Sequence, residues 1–97
     1  MYEAELHRVK GELLLMQGAG NTVEAESCFH TAIEVARRQG GKSLELRATV
    51  SLARLLGQQG DRDKARTMLA DIYGWFTEGF DTADLMDAKA LLDELGV

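Results

Sequence analysis

Apolar residues recur along this chain at steps of three and four, and no stretch alternates apolar and polar over six residues. The pattern predicts helices and no strands. Tyr2, Leu6, Val9, Leu13 and Met16 step by four, three, four and three, one face of a first helix that Gly18-Ala19-Gly20 ends. Asn21 is a good N-cap, and Glu24 three residues later completes a start resembling a capping box. The second helix carries Ala25, Cys28, Phe29, Ala32, Ile33 and Ala36 on one side. Arg37 and Arg38 sit in its last turn, where the helix dipole favours them, and Gly40 stops it. Ser43 can cap a third helix with Leu46, Val50, Ala53 and Leu56 inward. Gln58-Gln59-Gly60-Asp61 is a turn in which Asp61 caps the next helix. The fourth helix carries Ala65, Met68, Leu69, Ile72, Tyr73 and Phe76. After a loop around Gly79, Asp81 or Thr82 caps a fifth with Leu85, Ala88, Leu91, Leu92 and Leu95.

Five helices on short loops make antiparallel neighbours. The chain has 10 glycines and no proline, so helix breaks fall to glycine, and the glycines cluster where breaks are needed. The expected fold is all-α: two antiparallel helical hairpins and a C-terminal capping helix, forming one domain over residues 1–97.

The two hairpins repeat each other. Gln17-Gly18 and Gln59-Gly60 both open a turn, after which Ala25, Phe29 and Ala32 match Ala65, Leu69 and Ile72 in spacing, 40 residues apart. Earlier, Gly11 with Leu14 matches Leu52-Ala53 with Leu56. This resembles the tetratricopeptide repeat, whose pattern runs W-x2-L-G-x2-Y and then A-x3-F-x2-A. The resemblance implies an α-solenoid in which small residues let the helices of a hairpin approach and large ones fill between hairpins. His7 and Thr49 replace the tryptophan, Lys10 replaces the first leucine, and the terminal proline is missing. The period also exceeds the usual length of about 34.

A second resemblance covers nearly the whole chain. ELHRVKGELLL, then AESCFHTAIEVARRQGGKSLELRATVSLARLL, then IYGWFTEGFDTADLMDAKALLDEL looks like the C-terminal end of a group of large bacterial signalling proteins. These combine a class III adenylate or guanylate cyclase, an AAA-type ATPase and a long tetratricopeptide-like tail. Ser51 to Leu55 and Trp75 to Thr82 are its most specific parts. It implies that the chain is a fragment of a larger protein and that cyclase and ATPase chemistry lie outside it.

The net charge of −5 repels both a phosphate backbone and an anionic bilayer, so neither nucleic acid nor membrane is an expected partner. No apolar run approaches the roughly 18 residues of a membrane span, and the N-terminus has no leader-like apolar segment. Cys28 is the only cysteine, which excludes an internal disulfide and fits a reducing, cytoplasmic setting.

Candidate chemistry is sparse. Gly41-Lys42-Ser43 looks like the end of a phosphate loop, but Ala36 stands where that loop needs its first glycine, and a helix precedes it rather than a strand. His7 and His30 lie on different helices with no metal-ligand spacing. Cys28 has no evident base and reads as a small hydrophobe. Asp81, Asp84, Asp87, Asp93 and Glu94 read as the solvated face of the last helix. Tyr73, Trp75, Phe76 and Phe80 read as a hydrophobic knot between the fourth helix and the fifth. No catalytic residue, cofactor site or metal site is expected.

One polar stripe remains. Arg47, Ser51, Arg54 and Gln58 step by four, three and four along the third helix, and Arg8 and Glu12 flank them from the first. In a tetratricopeptide hairpin the first helix lines the concave surface, so this stripe is the candidate groove for a protein or peptide, or for another domain of the same parent chain. Its two arginines are expected to be exposed and able to hold a carboxylate. Leu6, Leu13, Leu14 and Leu15 surround much of the first helix, and a two-fold dimer through the first and second helices is expected to bury the surplus. The expected function is a non-catalytic scaffold. Its alternatives are a homo-oligomerisation module and, less favoured by the residues, a small helical ligand-binding domain or enzyme.

Overall fold

A computed structural model describes residues 3–76 and 83–96. They form five α-helices: α1 (Glu3–Gln17), α2 (Thr22–Arg38), α3 (Lys42–Gln58), α4 (Arg62–Trp75) and α5 (Ala83–Leu95). A single 3-10 turn, Ala19–Asn21, leads into α2. Tyr2, the loop at Gly79, Phe80 and the Asp81 or Thr82 cap lie outside the described residues.

The helix ends follow glycine chemistry. Gly40 and Gly60 have φ of +69° and +93°, the left-handed region that costs glycine least. At the first, Gly40 N donates to Arg37 O and Gly41 N to Ala36 O; at the second, Gly60 N donates to Gly57 O and Asp61 N to Leu56 O. Each is a complete Schellman closure. The N-termini depart from expectation in detail. α3 starts one residue before Ser43, with Gly41 at the N-cap. Asn21 and Asp61 hold the expected N-cap positions, but neither makes the side-chain cap bond. The Asn21 amide donates instead to Leu14 O at 3.1 Å, tying the turn back to α1.

The helices stack in two layers within a slab 39 × 35 × 19 Å, about two helix diameters thick. α1, α3 and α5 touch one another in sequence, while α2 and α4 do not meet. The first layer is therefore the inner side of a shallow curve. α3 is central, between α2 and α4, and Phe29, Leu46, Leu52, Leu56 and Leu69 are the largest fully buried side chains. Gly11 sits in the first hairpin where only a hydrogen fits: a Cβ there would lie 2.6 Å from Phe29 Cε1.

Two sequence expectations are corrected. The apolar stripe Leu6, Val9, Leu13, Met16 is the solvent face of α1; the inward side is Ala4 and Gly11, with Leu14 and Leu15 partly buried. Close approach of α1 to α2 needs small residues, so the large ones mark the opposite side. Trp75 does not join a knot with α5. It is 56 % exposed, with Lys42 Nζ 5.4 Å from its ring centroid and Phe76 edge-on at 5.1 Å. Tyr73 and Phe76 do pack partly buried on the core. Cys28 is half-buried.

Candidate partner-binding groove

α3 supplies the floor of a groove between α1 and α5, because its inner-layer face is left uncovered by α2 and α4. All six residues of the predicted stripe line it. Near the start of α3, Arg8, Arg47, Val50, Ser51, Arg54 and Asp84 surround an open cleft. Towards its end, Glu12, Leu15, Met16, Ser51, Arg54 and Gln58 line a second. A third, formed with α5, contains Arg54, Gly57, Gln58, Arg62 and Leu91. Their volumes are about 180, 210 and 280 Å³, below the ~300–1,000 Å³ typical of small-molecule pockets. Arg54 belongs to all three.

The stripe residues are not equivalent. Ser51 is buried, 5 % exposed, and forms floor rather than rim. Arg47 is half-buried, not the exposed cation expected. Its Nε and Nη2 donate to the two oxygens of Asp84 at 3.2 and 3.0 Å, and its Nη1 donates to Glu5 Oε2 at 2.9 Å. These bonds to Asp84 first, then Glu5, raise its pKa further above the ordinary arginine value. Arg8 is engaged too, through Nε to Glu5 Oε1 at 2.8 Å. Arg8, then Arg47, hold the Glu5 carboxyl below its usual range against the opposing effect of partial burial. Among the described residues Arg54 is exposed and makes no ion pair, so it is the one stripe cation left to an incoming group.

Asp84, expected on the solvated face of the last helix, is instead partly buried against Arg47, and Glu5 is the second carboxylate that occupies this guanidinium. Glu5 stands three residues before Arg8, a helical ion-pair spacing, but nothing local shows that Arg47 reaches both α1 and α5. Glu45 is a buried carboxylate that no spacing in the sequence marks. Only 3 % exposed, it accepts Arg37 Nε at 2.9 Å and Lys42 Nζ at 3.3 Å. The Gly41-Lys42-Ser43 run thus serves a helix start and an ion pair. His30 lies 3.8 Å from Glu26. No cluster of three or more metal-ligating side chains exists among the described residues, and no helix there is long and apolar enough to cross a membrane.

Two stacked helical hairpins with a glycine–aromatic close approach in the first are matched by a family model, described as tetratricopeptide repeat, over residues 3–74. The chain belongs to the tetratricopeptide repeat family. Repeats of this kind generally mediate protein–protein interaction and are typically not catalytic. The match spans α1 to α4 and stops short of α5. No curated protein and no solved structure gives a significant match to the chain.

Proposed function

We propose that this tetratricopeptide module is a cytoplasmic, non-catalytic scaffold that takes a protein segment along the groove of α1, α3 and α5. Arg54 is its cationic anchor for an anionic group, and Arg8, Glu12, Arg47, Ser51 and Gln58 are its walls. In this reading the chain is the regulatory tail of a signalling protein whose cyclase and ATPase domains lie elsewhere, and its partner is another protein or another domain of that parent. The parent context is carried by the sequence resemblance alone.

The observation that supports the groove is Arg54, an unpaired, exposed guanidinium shared by three adjoining clefts. A cation so placed favours a carboxylate on the bound segment. The test is a random-peptide array probed with the native chain and with Arg54→Glu. Peptides bound through Asp, Glu or a free C-terminus should lose at least about tenfold in affinity, as attraction becomes repulsion. The same peptides held equally by both proteins would refute the reading.

A second reading, self-association, is favoured by one observation. Leu6, Val9, Leu13 and Met16 on α1 and Val23 on α2 are all exposed. Light scattering on the native chain and on Leu6→Glu tests it: a native species of 10.7 kDa would refute it.

A further inference from the structure

Much of the charge in the groove is already committed inside the protein. Arg8 is taken by Glu5, and Arg47 by Glu5 and Asp84. In the two clefts that share Ser51, three charged side chains remain that make no ion pair among the described residues: Arg54, Glu12 and Asp87. Arg54 and Asp87 are exposed, and Glu12 is half-buried. In the third cleft Arg62 and Glu94 offset each other.

The three free charges have an order. Asp87, on α5, lines the cleft near the start of α3, and Glu12, on α1, lines the one towards its end. Arg54 lies in both and pairs with neither acid. Along the groove the free groups therefore run acid, cation, acid. A run of acidic residues that satisfied Arg54 would bring its neighbouring carboxylates against Asp87 and Glu12, and like charges set side by side are costly in an interface. The Glu12 cleft also has apolar lining in Leu15, Met16 and Leu55. Lysine and arginine lay their aliphatic stems on such a surface while the charged head reaches past it, here towards Glu12.

We propose that the groove selects a segment in which a single Asp or Glu stands between basic residues, and rejects a polyacidic one. Arg54 takes the carboxylate and sets the register. Glu12 and Asp87 take the flanking cations and determine specificity. This inference rests on the groove reading above and names the chemistry of its occupant. The net charge of −5 acts in the same direction, since it draws in a segment with a surplus of positive charge.

The test is a random-peptide array probed with the native chain, with Arg54→Glu, and with Glu12→Gln and Asp87→Asn combined. Neither acid has a partner to lose, so the double variant should melt with the native chain; Glu12→Gln alone is the second variant. Among peptides that need Arg54, the native chain should favour those with lysine or arginine within a few positions on both sides of one carboxylate. The double variant should bind these about fivefold more weakly, the loss expected of two solvent-screened ion pairs, and should gain affinity for peptides with adjacent carboxylates. Glu12→Gln alone should lose the preference for a basic residue on one side only. Polyacidic peptides as the tightest Arg54-dependent ligands of the native chain would overturn the proposal, as would an unchanged preference in the double variant, and both would leave the groove reading standing. Peptides that bind equally well to Arg54→Glu would overturn the groove reading and this inference with it.

Discussion

Arg47 on α3 and Asp84 on α5 form a two-pronged ion pair, Nε to Oδ1 at 3.2 Å and Nη2 to Oδ2 at 3.0 Å, and the remaining Nη1 of the same guanidinium reaches Glu5 on α1 at 2.9 Å. One side chain thus fastens all three helices of the inner layer. The planar fork of arginine can engage two carboxylates at once, which the single ammonium of lysine does less well. The groove is held in shape by a residue that the stripe pattern marks as a ligand contact.

Removing this fastening should loosen α5 first, since α5 meets only α3 and α4 among the described helices. Arg47→Ala should cost about 1 kcal/mol, a partly exposed pair being screened by solvent. Hydrogen exchange is the measurement: amides of α5 should exchange faster while those of α2 keep their protection. Equal protection of α5 in both proteins would contradict the assignment.

Gly11→Ala sets two effects against each other. Alanine in a helix interior gains about 1 kcal/mol over glycine, but its Cβ would lie 2.6 Å from the fully buried Phe29 ring. Overpacking of this kind costs about 1–3 kcal/mol, and a rigid ring atom in a full core has little room to yield. Denaturant melts should show net destabilisation, relieved when Phe29→Leu is added. A Gly11→Ala chain more stable than the native one would show that helix propensity wins.

These cases mark what the sequence makes legible. The five helices, the glycine stops and the inward faces of α2 and α3 follow from spacing, because each of those helices packs on both sides. α1 packs inwardly on one side, so its apolar stripe points away from the core and periodicity alone selects the wrong face. The Gly11–Phe29 approach is the informative signal there, and the repeat pattern carries it. The stripe spacing puts Arg47, Ser51, Arg54 and Gln58 on one face of α3, but Arg47's engagement depends on residues 37 and 42 positions away in sequence, beyond any local pattern. The clustering of aromatics in sequence predicts Trp75 in a knot, whereas the geometry of α4 turns it toward Lys42.

Acid should weaken the inner layer through Glu5. Arg8 and Arg47 hold its folded-state pKa below the unfolded value. Its contribution is therefore fully present above the unfolded value and is lost as pH falls through the folded one. Melting temperatures of the native chain and Glu5→Gln should differ most near neutral pH and converge below the usual carboxylate range. A gap that stays constant on acidification would contradict the ion-pair network.

Trp75 is the only tryptophan, which makes it a clean optical probe. Its fluorescence should peak at the long wavelengths of a solvated indole and change on Lys42→Ala. Trp75→Ala should cost little stability, whereas Phe76→Ala, against the core, should cost about 1–3 kcal/mol, less than the ~3–5 kcal/mol of a fully buried site. A blue-shifted Trp75 spectrum that Lys42→Ala leaves unmoved would contradict its placement.

The most direct test of the groove as the partner-binding surface is NMR shift mapping of the native chain with a peptide selected for binding from a random display library. The largest backbone shifts are predicted at Glu12, Ser51, Arg54 and Gln58, and Arg54→Glu should abolish them. Shifts confined to the outward surfaces of α2 and α4, unaffected by Arg54→Glu, would contradict it.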